Sequence, residues 1–175
     1  MGTFIVHGGK SLKGEIIPQG AKNEALQVIC AVLLTSEKVT IKNIPDISDV
    51  NKLIELIGCM GVKITRESES VTSFEAVNVN LDYLQTGEFR AQSSSLRGSI
   101  MIVGPLLARF GKAFIPKPGG DKIGRRRVDT HFIGFQKLGA RFEFDSTDPF
   151  FKVEAPSLKG TYMHLDEASV TGTAN

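Results

Sequence analysis

The chain has 175 residues, of which 41% are hydrophobic, 23% charged and 7% aromatic. That is the composition of a globular protein with a core, and it excludes a disordered tail, a coiled coil or a disulfide-stapled mini-protein. The net charge of +2 is too small for the whole surface to bind a polyanion, so any anion site must be a local concentration of charge. The longest apolar runs, 28–34 and 100–108, fall short of the ~20 residues a bilayer requires, and Gly104-Pro105 breaks the second. The N-terminus, Met-Gly-Thr-Phe-Ile-Val-His, lacks the basic and apolar regions of a secretory leader, and Val6 spoils a myristoylation signal. A cytoplasmic protein without a membrane partner is expected.

In chain order, residues 14–17 read as a strand and 23–34 as an apolar helix. Residues 38–41 follow as a strand, and 50–60 as a helix whose Leu53, Leu56, Ile57 and Met60 recur at helical spacing until Gly61 stops it. A strand-like stretch, 62–65, closes this unit. A second unit runs from about Val77 to Glu154, with helices predicted over 96–109 and 128–138 and a strand over 140–144.

These units are copies of each other. Ala31 to Ile41 lies over Pro105 to Ile115 without a gap, at an offset of 74 residues. Leu56 to Gly61 lies over Gly134 to Gly139 at an offset of 78, and Ser11-Leu-Lys-Gly14 recurs as Ser157-Leu-Lys-Gly160 at 146, close to two periods. Such repetition predicts an α/β fold of repeated strand–helix–strand–helix–strand units around a shared core. Carried forward, the 146 offset starts a third first-helix at Ala168 and Ser169, so the third unit is expected to be incomplete in this chain. The two cysteines, Cys30 and Cys59, lie in apolar helical segments without CxxC spacing, and both are expected to be small buried hydrophobes.

Equivalent helix N-termini fall at Asn23, Arg97 and Ser169, and helix N-termini offer free N–H groups and a positive dipole end. Each is preceded by polar or small residues, such as Gln92-Ser-Ser-Ser-Leu96, and N-capping explains those serines as well as a ligand does. Lys22 is less easily explained, because a cation at the positive end of a helix needs an anionic ligand or a carboxylate partner. The loop 116–127 carries Lys117, Lys122, Arg125, Arg126 and Arg127 around one acid, Asp121, among glycines that let backbone approach a ligand. It matches neither the P-loop nor the dinucleotide fingerprint, and composition alone leaves it a solvated basic loop or a phosphate- or nucleic-acid-binding one. Cations beside Asp121 keep it ionised unless bound anions neutralise them, which would return it to a proton-donating range. Asp129 and His131 either bond a ligand or cap the following helix.

Three segments carry a resemblance: Gly20-Ala-Lys-Asn-Glu-Ala-Leu26, then Leu96-Arg-Gly-Ser-Ile100 through Gly104-Pro-Leu-Leu-Ala-Arg-Phe-Gly111, then Pro118-Gly-Gly-Asp-Lys-Ile-Gly124 through Val128-Asp-Thr-His131. Together they resemble the N-terminal part of the UDP-N-acetylglucosamine 1-carboxyvinyltransferase family, enolpyruvyl transferases that open peptidoglycan precursor synthesis. The resemblance implies the inside-out α/β barrel of that fold. Residues 1–21 would belong with a second domain absent here, and 22–175 would form an incomplete first domain. It implies two small-molecule substrates, phosphoenolpyruvate and UDP-N-acetylglucosamine, with no cofactor, metal, nucleic acid or obligate protein partner.

By the same resemblance Lys22, Asn23 and Arg126 would hold phosphoenolpyruvate. The sugar nucleotide would meet Asn23, Arg97, Arg126, Arg127, Val128, Asp129, Thr130, His131, Glu167, Ala168, Ser169 and Val170. Most family members carry cysteine where this sequence has Asp121, which makes Asp121 the proton donor and fosfomycin resistance the expectation. Met101 replaces a frequent aromatic, Arg127 a usual proline and Glu167 a common lysine. The isolated chain is expected to be an inactive piece of the enzyme, and the other readings are an enolpyruvyl transferase with another acceptor, such as shikimate 3-phosphate, or a non-catalytic binding module.

Overall fold

The computed structural model describes residues 3–115, 128–145, 148–165 and 170–175. The first unit starts with helix α1 (Lys22–Ala31), prolonged by a 3₁₀ turn (Val32–Leu34), and continues through strand β1 (Lys38–Ile41), helix α2 (Ser48–Cys59) and strands β2 (Lys63–Ser68) and β3 (Val71–Glu75). Strand β3 pairs antiparallel with both neighbours, giving the order β1-β3-β2 and leaving β1 and β2 parallel to each other. This is a split β-α-β arrangement, with the returning hairpin strand filling the gap between the two crossover strands. Strand alternation puts Val39, Phe74 and Ile64 opposite one another on the face toward α2, and Phe74 is fully buried.

The second unit repeats this with α4 (Val103–Phe110), β4 (Lys112–Ile115), α5 (Asp129–Lys137), β5 (Arg141–Asp145) and β6 (Asp148–Glu154), in the order β4-β6-β5. The likeness extends to single hydrogen bonds. Gly61 and Gly139 end α2 and α5 with φ of 93° and 100°, and the residue after each donates back to the fifth residue before it, Val62 to Ile57 and Ala140 to Phe135. Only glycine adopts that backbone cheaply, so the same stop signal turns both chains from helix into strand. Asn80 N–H then bonds Met60 C=O as Lys159 bonds Leu138. Both ladders slip near the hairpin turn, on β2 between Arg66 and Ser68 in one and between Phe144 and Asp145 in the other.

The α/β expectation and the repeat therefore hold, with local corrections. The expected strand over 14–17 is absent: residues 3–20 form no helix or strand, and Ile16 and Ile17 are exposed. Their β-branched side chains favour extended backbone, but among the described residues no partner strand pairs with them. The second unit does not open on a strand at Val77. A 3₁₀ turn (Asp82–Gln85) and helix α3 (Gly87–Ser94) stand there, and Thr86 caps α3 by accepting from Phe89 N–H. The helix expected over 96–109 is a 3₁₀ turn (Arg97–Ile102) followed by α4. Cys30 is buried as expected, and desolvation pushes its thiol well above the usual range. Cys59 is not: it lies on the outer side of α2, where Gln92 Nε2 reaches its sulfur.

One side chain ties the units together. A terminal nitrogen of Arg109, in the last turn of α4, lies 3.1 Å from Leu33 O, 2.9 Å from Thr35 O and 2.9 Å from Ala76 O, carbonyls of the first unit. Within the second unit, Arg90 of α3 stacks over the Phe150 ring of β6 at 4.7 Å. A short helix, α6 (Val170–Ala174), packs against α5 and closes the described chain.

Candidate functional site

Ala21, the residue that caps α1, is extended and offers no side-chain acceptor, so the backbone of the first turn is not capped by it. Lys22 stands at this positive end. Its Nζ lies 2.9 Å from Oδ2 of Asp49, in the first turn of α2, with both side chains about two-fifths exposed. The cation at the α1 start thus has the carboxylate partner its placement demanded, and Asp49 is itself favoured by the α2 dipole. Gly20 makes the approach possible, because a Cβ there would collide with the Asn43 carbonyl. Asn23 is exposed on the same turn.

Arg97, half-buried, opens the 3₁₀ turn that packs across α1. A Cβ on the next residue, Gly98, would come 3.2 Å from Leu26 Cδ1, so glycine seats this turn one helical turn from Lys22 and Asn23. The serines ahead of it do not cap it. Ser93 donates to Phe89 O and Ser95 to Gln92 O, and Ser99 donates back to Ser93 O and Leu96 O, so these hydroxyls finish α3 and brace the turn.

The start of α5 is the most buried part of the site. Thr130 and His131 are 3% and 5% exposed, and Val128, not Asp129 or His131, is the residue that caps the helix. Asp129 and His131 both lie inside the first turn. Nδ1 of His131 lies 3.1 Å from Nδ2 of Asn175, which also reaches Ile100 O at 2.9 Å. Burial first, and then the charge of Arg97, hold the His131 imidazole below its ordinary pKa. Through Asn175, the start of α5 is linked to Ile100 of the 3₁₀ turn that Arg97 opens.

The structure thus brings together Lys22, Asn23, Arg97, Thr130 and His131 on a run of adjacent helix starts. Val128 and Asp129 lead into the last of them. Asp121, Arg126, Arg127, Glu167, Ala168 and Ser169 lie outside the described residues, and Val170 opens α6. Sequence reasoning missed Asp49 and Asn175. The cation at the α1 start pointed to a carboxylate without saying which, and no pattern marked Asn175. A cavity of about 460 Å³ lined by Leu107, Arg109, Lys112, Glu154 and Leu158 opens at the other end of α4. Among the described residues no group of three His, Cys, Asp or Glu could hold a metal ion, and no helix is long and apolar enough to cross a membrane.

The family model for EPSP synthase (3-phosphoshikimate 1-carboxyvinyltransferase) matches residues 6–175. The chain belongs to that family. Its curated relatives include the UDP-N-acetylglucosamine 1-carboxyvinyltransferases of Bacteroides thetaiotaomicron, 59% identical, and Porphyromonas gingivalis, 57% identical, each over the whole of this chain and 40% of the relative. The chain spans about two-fifths of the length of these relatives. Among solved structures, the enolpyruvyl transferase NikO from Streptomyces tendae superposes with a TM-score of 0.63 at 20% identity, over 87% of this chain and 32% of that one. EPSP synthase from Acinetobacter baumannii does so with 0.66 at 16%, over 95% and 38%. These structures share the fold.

Proposed function

We propose that this chain is the N-terminal part of an enzyme that transfers the enolpyruvyl group of phosphoenolpyruvate to the 3-hydroxyl of UDP-N-acetylglucosamine, releasing phosphate. The observation that carries the reading is the 57–59% identity, along the entire chain, to relatives bearing that activity in their names. The likeness to the solved EPSP synthase is 16%. In this reading residues 22–175 belong to the first domain and residues 1–21 pack with a second one. The exposure of Phe4, Val6, Leu12, Ile16 and Ile17 supports that division, since apolar side chains so placed need a covering surface. The enzyme works in the cytoplasm, needs no cofactor and takes small-molecule substrates only.

Two anionic substrates suit a site made of helix starts and cations. Lys22 and Arg126 bind the phosphate and carboxylate of phosphoenolpyruvate, with Asn23 beside them. Arg97, Arg126, Arg127, Val128, Asp129, Thr130, His131 and Glu167 to Val170 line the sugar-nucleotide side. Asp121 gives its proton to the methylene carbon of phosphoenolpyruvate while the sugar 3-hydroxyl attacks the adjacent carbon. The attacking hydroxyl gives up its proton, the tetrahedral adduct loses inorganic phosphate, and a proton of the new methyl group leaves to restore the double bond. Lys22 serves both states: with the site empty Asp49 neutralises it, and an arriving phosphate competes for the same ammonium.

The test is phosphate release from phosphoenolpyruvate, measured on this chain within the full length of its relatives. Release is expected with UDP-N-acetylglucosamine, in the presence of fosfomycin, and not in Asp121→Ala. Release with shikimate 3-phosphate alone would replace the acceptor, and silence with both would overturn the reading.

A further inference from the structure

The side-chain amide of Asn175 bonds three elements at once. Nδ2 donates to Ile100 O at 2.9 Å and faces Nδ1 of His131 at 3.1 Å, while Oδ1 accepts from Gly104 N–H at 3.0 Å. These partners decide which way the amide points. Turned over, its oxygen would meet the Ile100 carbonyl and its NH₂ would meet the Gly104 N–H, two repulsions in place of two bonds. The group that faces His131 is therefore a donor. Nδ1 must accept from it, and the one proton of the neutral ring resides on Nε2.

We infer that Asn175 is a positioning residue for His131, locking it as the Nε2–H tautomer so that it offers a neutral N–H donor to an acceptor atom of the ligand. That a ligand is met there rests on the function proposed above; the lock itself rests on the contacts. Gly104 belongs to the same device, because a Cβ there would lie 2.8 Å from Oδ1 of Asn175 and run into its backbone carbonyl. Leu53, the residue 78 positions earlier, is buried in the equivalent turn of α2, so the second unit carries a polar ring where the first carries a core leucine. A ring placed so needs a partner, and Asn175 provides it.

The charged surroundings agree with a neutral ring. The 3₁₀ turn whose Ile100 carbonyl shares the Asn175 amide with His131 carries Arg97, whose charge opposes a second cation. The described part of α6 brings no ionisable side chain, and α5 itself carries Asp129 and Lys137.

Long-range ¹⁵N–¹H correlation spectra of His131 in the unliganded chain at neutral pH test the lock. A pyridine-like Nδ1 and a pyrrole-like Nε2 are expected, and a pyrrole-like Nδ1 would overturn the inference. In Asn175→Asp an acceptor replaces the donor. The proton should move to Nδ1, and the His131 titration midpoint should rise by about one pH unit or more. In Asn175→Ala, checked to be folded by its amide spectrum, the tautomers should mix. An unchanged ring in that variant would equally overturn the inference, since a merely structural asparagine would leave it unchanged. Adding UDP-N-acetylglucosamine to the wild-type chain separates the two claims: a shift at Nε2 supports the ligand, and a silent ring of the correct tautomer overturns the ligand reading alone.

Discussion

The two units share a backbone and divide its uses. In the first sheet the large inner side chain is on the central strand, Phe74 between Val39 and Ile64. In the second it moves to an edge, Phe142, leaving Val153 opposite Ala113 in the middle. Bulk has been exchanged between neighbouring strands while the layer stays filled, the tolerance expected of cores that keep their total volume. The helix starts differ more. The first unit closes its pair of starts with an ion pair, Lys22 to Asp49, which half-faces water, whereas the α5 start of the second unit is held by a part-buried neutral pair, His131 to the Asn175 that follows α6. Packing constrains what a repeat conserves, and its polar ends are where the copies diverge.

Four substitutions press on this comparison. Phe74→Ala should cost about 3–5 kcal/mol, whereas Val153→Ala at the equivalent place should cost about half as much, and denaturant melts of the two variants measure the difference. Equal losses would mean that bulk was not exchanged between strands. Gly104→Ala should destabilise by about 1–3 kcal/mol, because backbone and not a flexible side chain stands in the way of the new Cβ. Gly134→Ala, in α5 with open space around its Cβ, should be neutral or stabilise by up to about 1 kcal/mol.

A fifth variant concerns pH. Since His131 has a lowered pKa when folded, the unfolded chain binds more protons below about pH 6.5. Its contribution is therefore complete above that pH and fades as pH falls toward the folded value. His131→Leu, which copies the first unit, should flatten the stability profile between pH 7 and 5 in thermal melts. Glu67, Glu75 and Glu154, held below the ordinary carboxylate range first by hydrogen bonds from Ser73, Lys63 and Lys152 respectively, act lower, below about pH 4.5, so the windows separate. A similarly small effect belongs to Asp49→Asn: at two-fifths exposure the ion pair contributes at most about 1 kcal/mol, and less in high salt. Under the function proposed above, the same change should alter the apparent affinity for phosphoenolpyruvate, because it frees the Lys22 ammonium.

The sequence made the repeat legible because glycine and lysine punctuate it at fixed spacing. Lys38 and Lys112 open β1 and β4 at the expected offset of 74, and Gly61 and Gly139 end α2 and α5 where the pattern stopped. Strand β3 was missed because its Thr72 and Ser73 look like surface residues, and both are buried in the central strand. Helix α3 was missed because it opens on Gly87 and ends in serines, all weak helix formers, with Ser93 held here by its hydroxyl bond to Phe89 O. Lys22, Arg97 and His131 stood out as residues at helix starts before the resemblance gave them roles. Asn175 was illegible for a different reason: its partners lie 71, 75 and 44 positions away, and no local pattern encodes a bond of that reach.

The bond network of Arg109 bears on how the molecule opens. One guanidinium on the last turn of α4 is held by carbonyls that belong to the end of α1's 3₁₀ extension and to the exit of β3. Unravelling either copy removes the anchor of the other, so the two repeats cannot breathe as separate modules the way stacked solenoid repeats do. Slow amide exchange in β3 and in α4 should accordingly vanish together as denaturant is raised, as a single cooperative event spanning both copies.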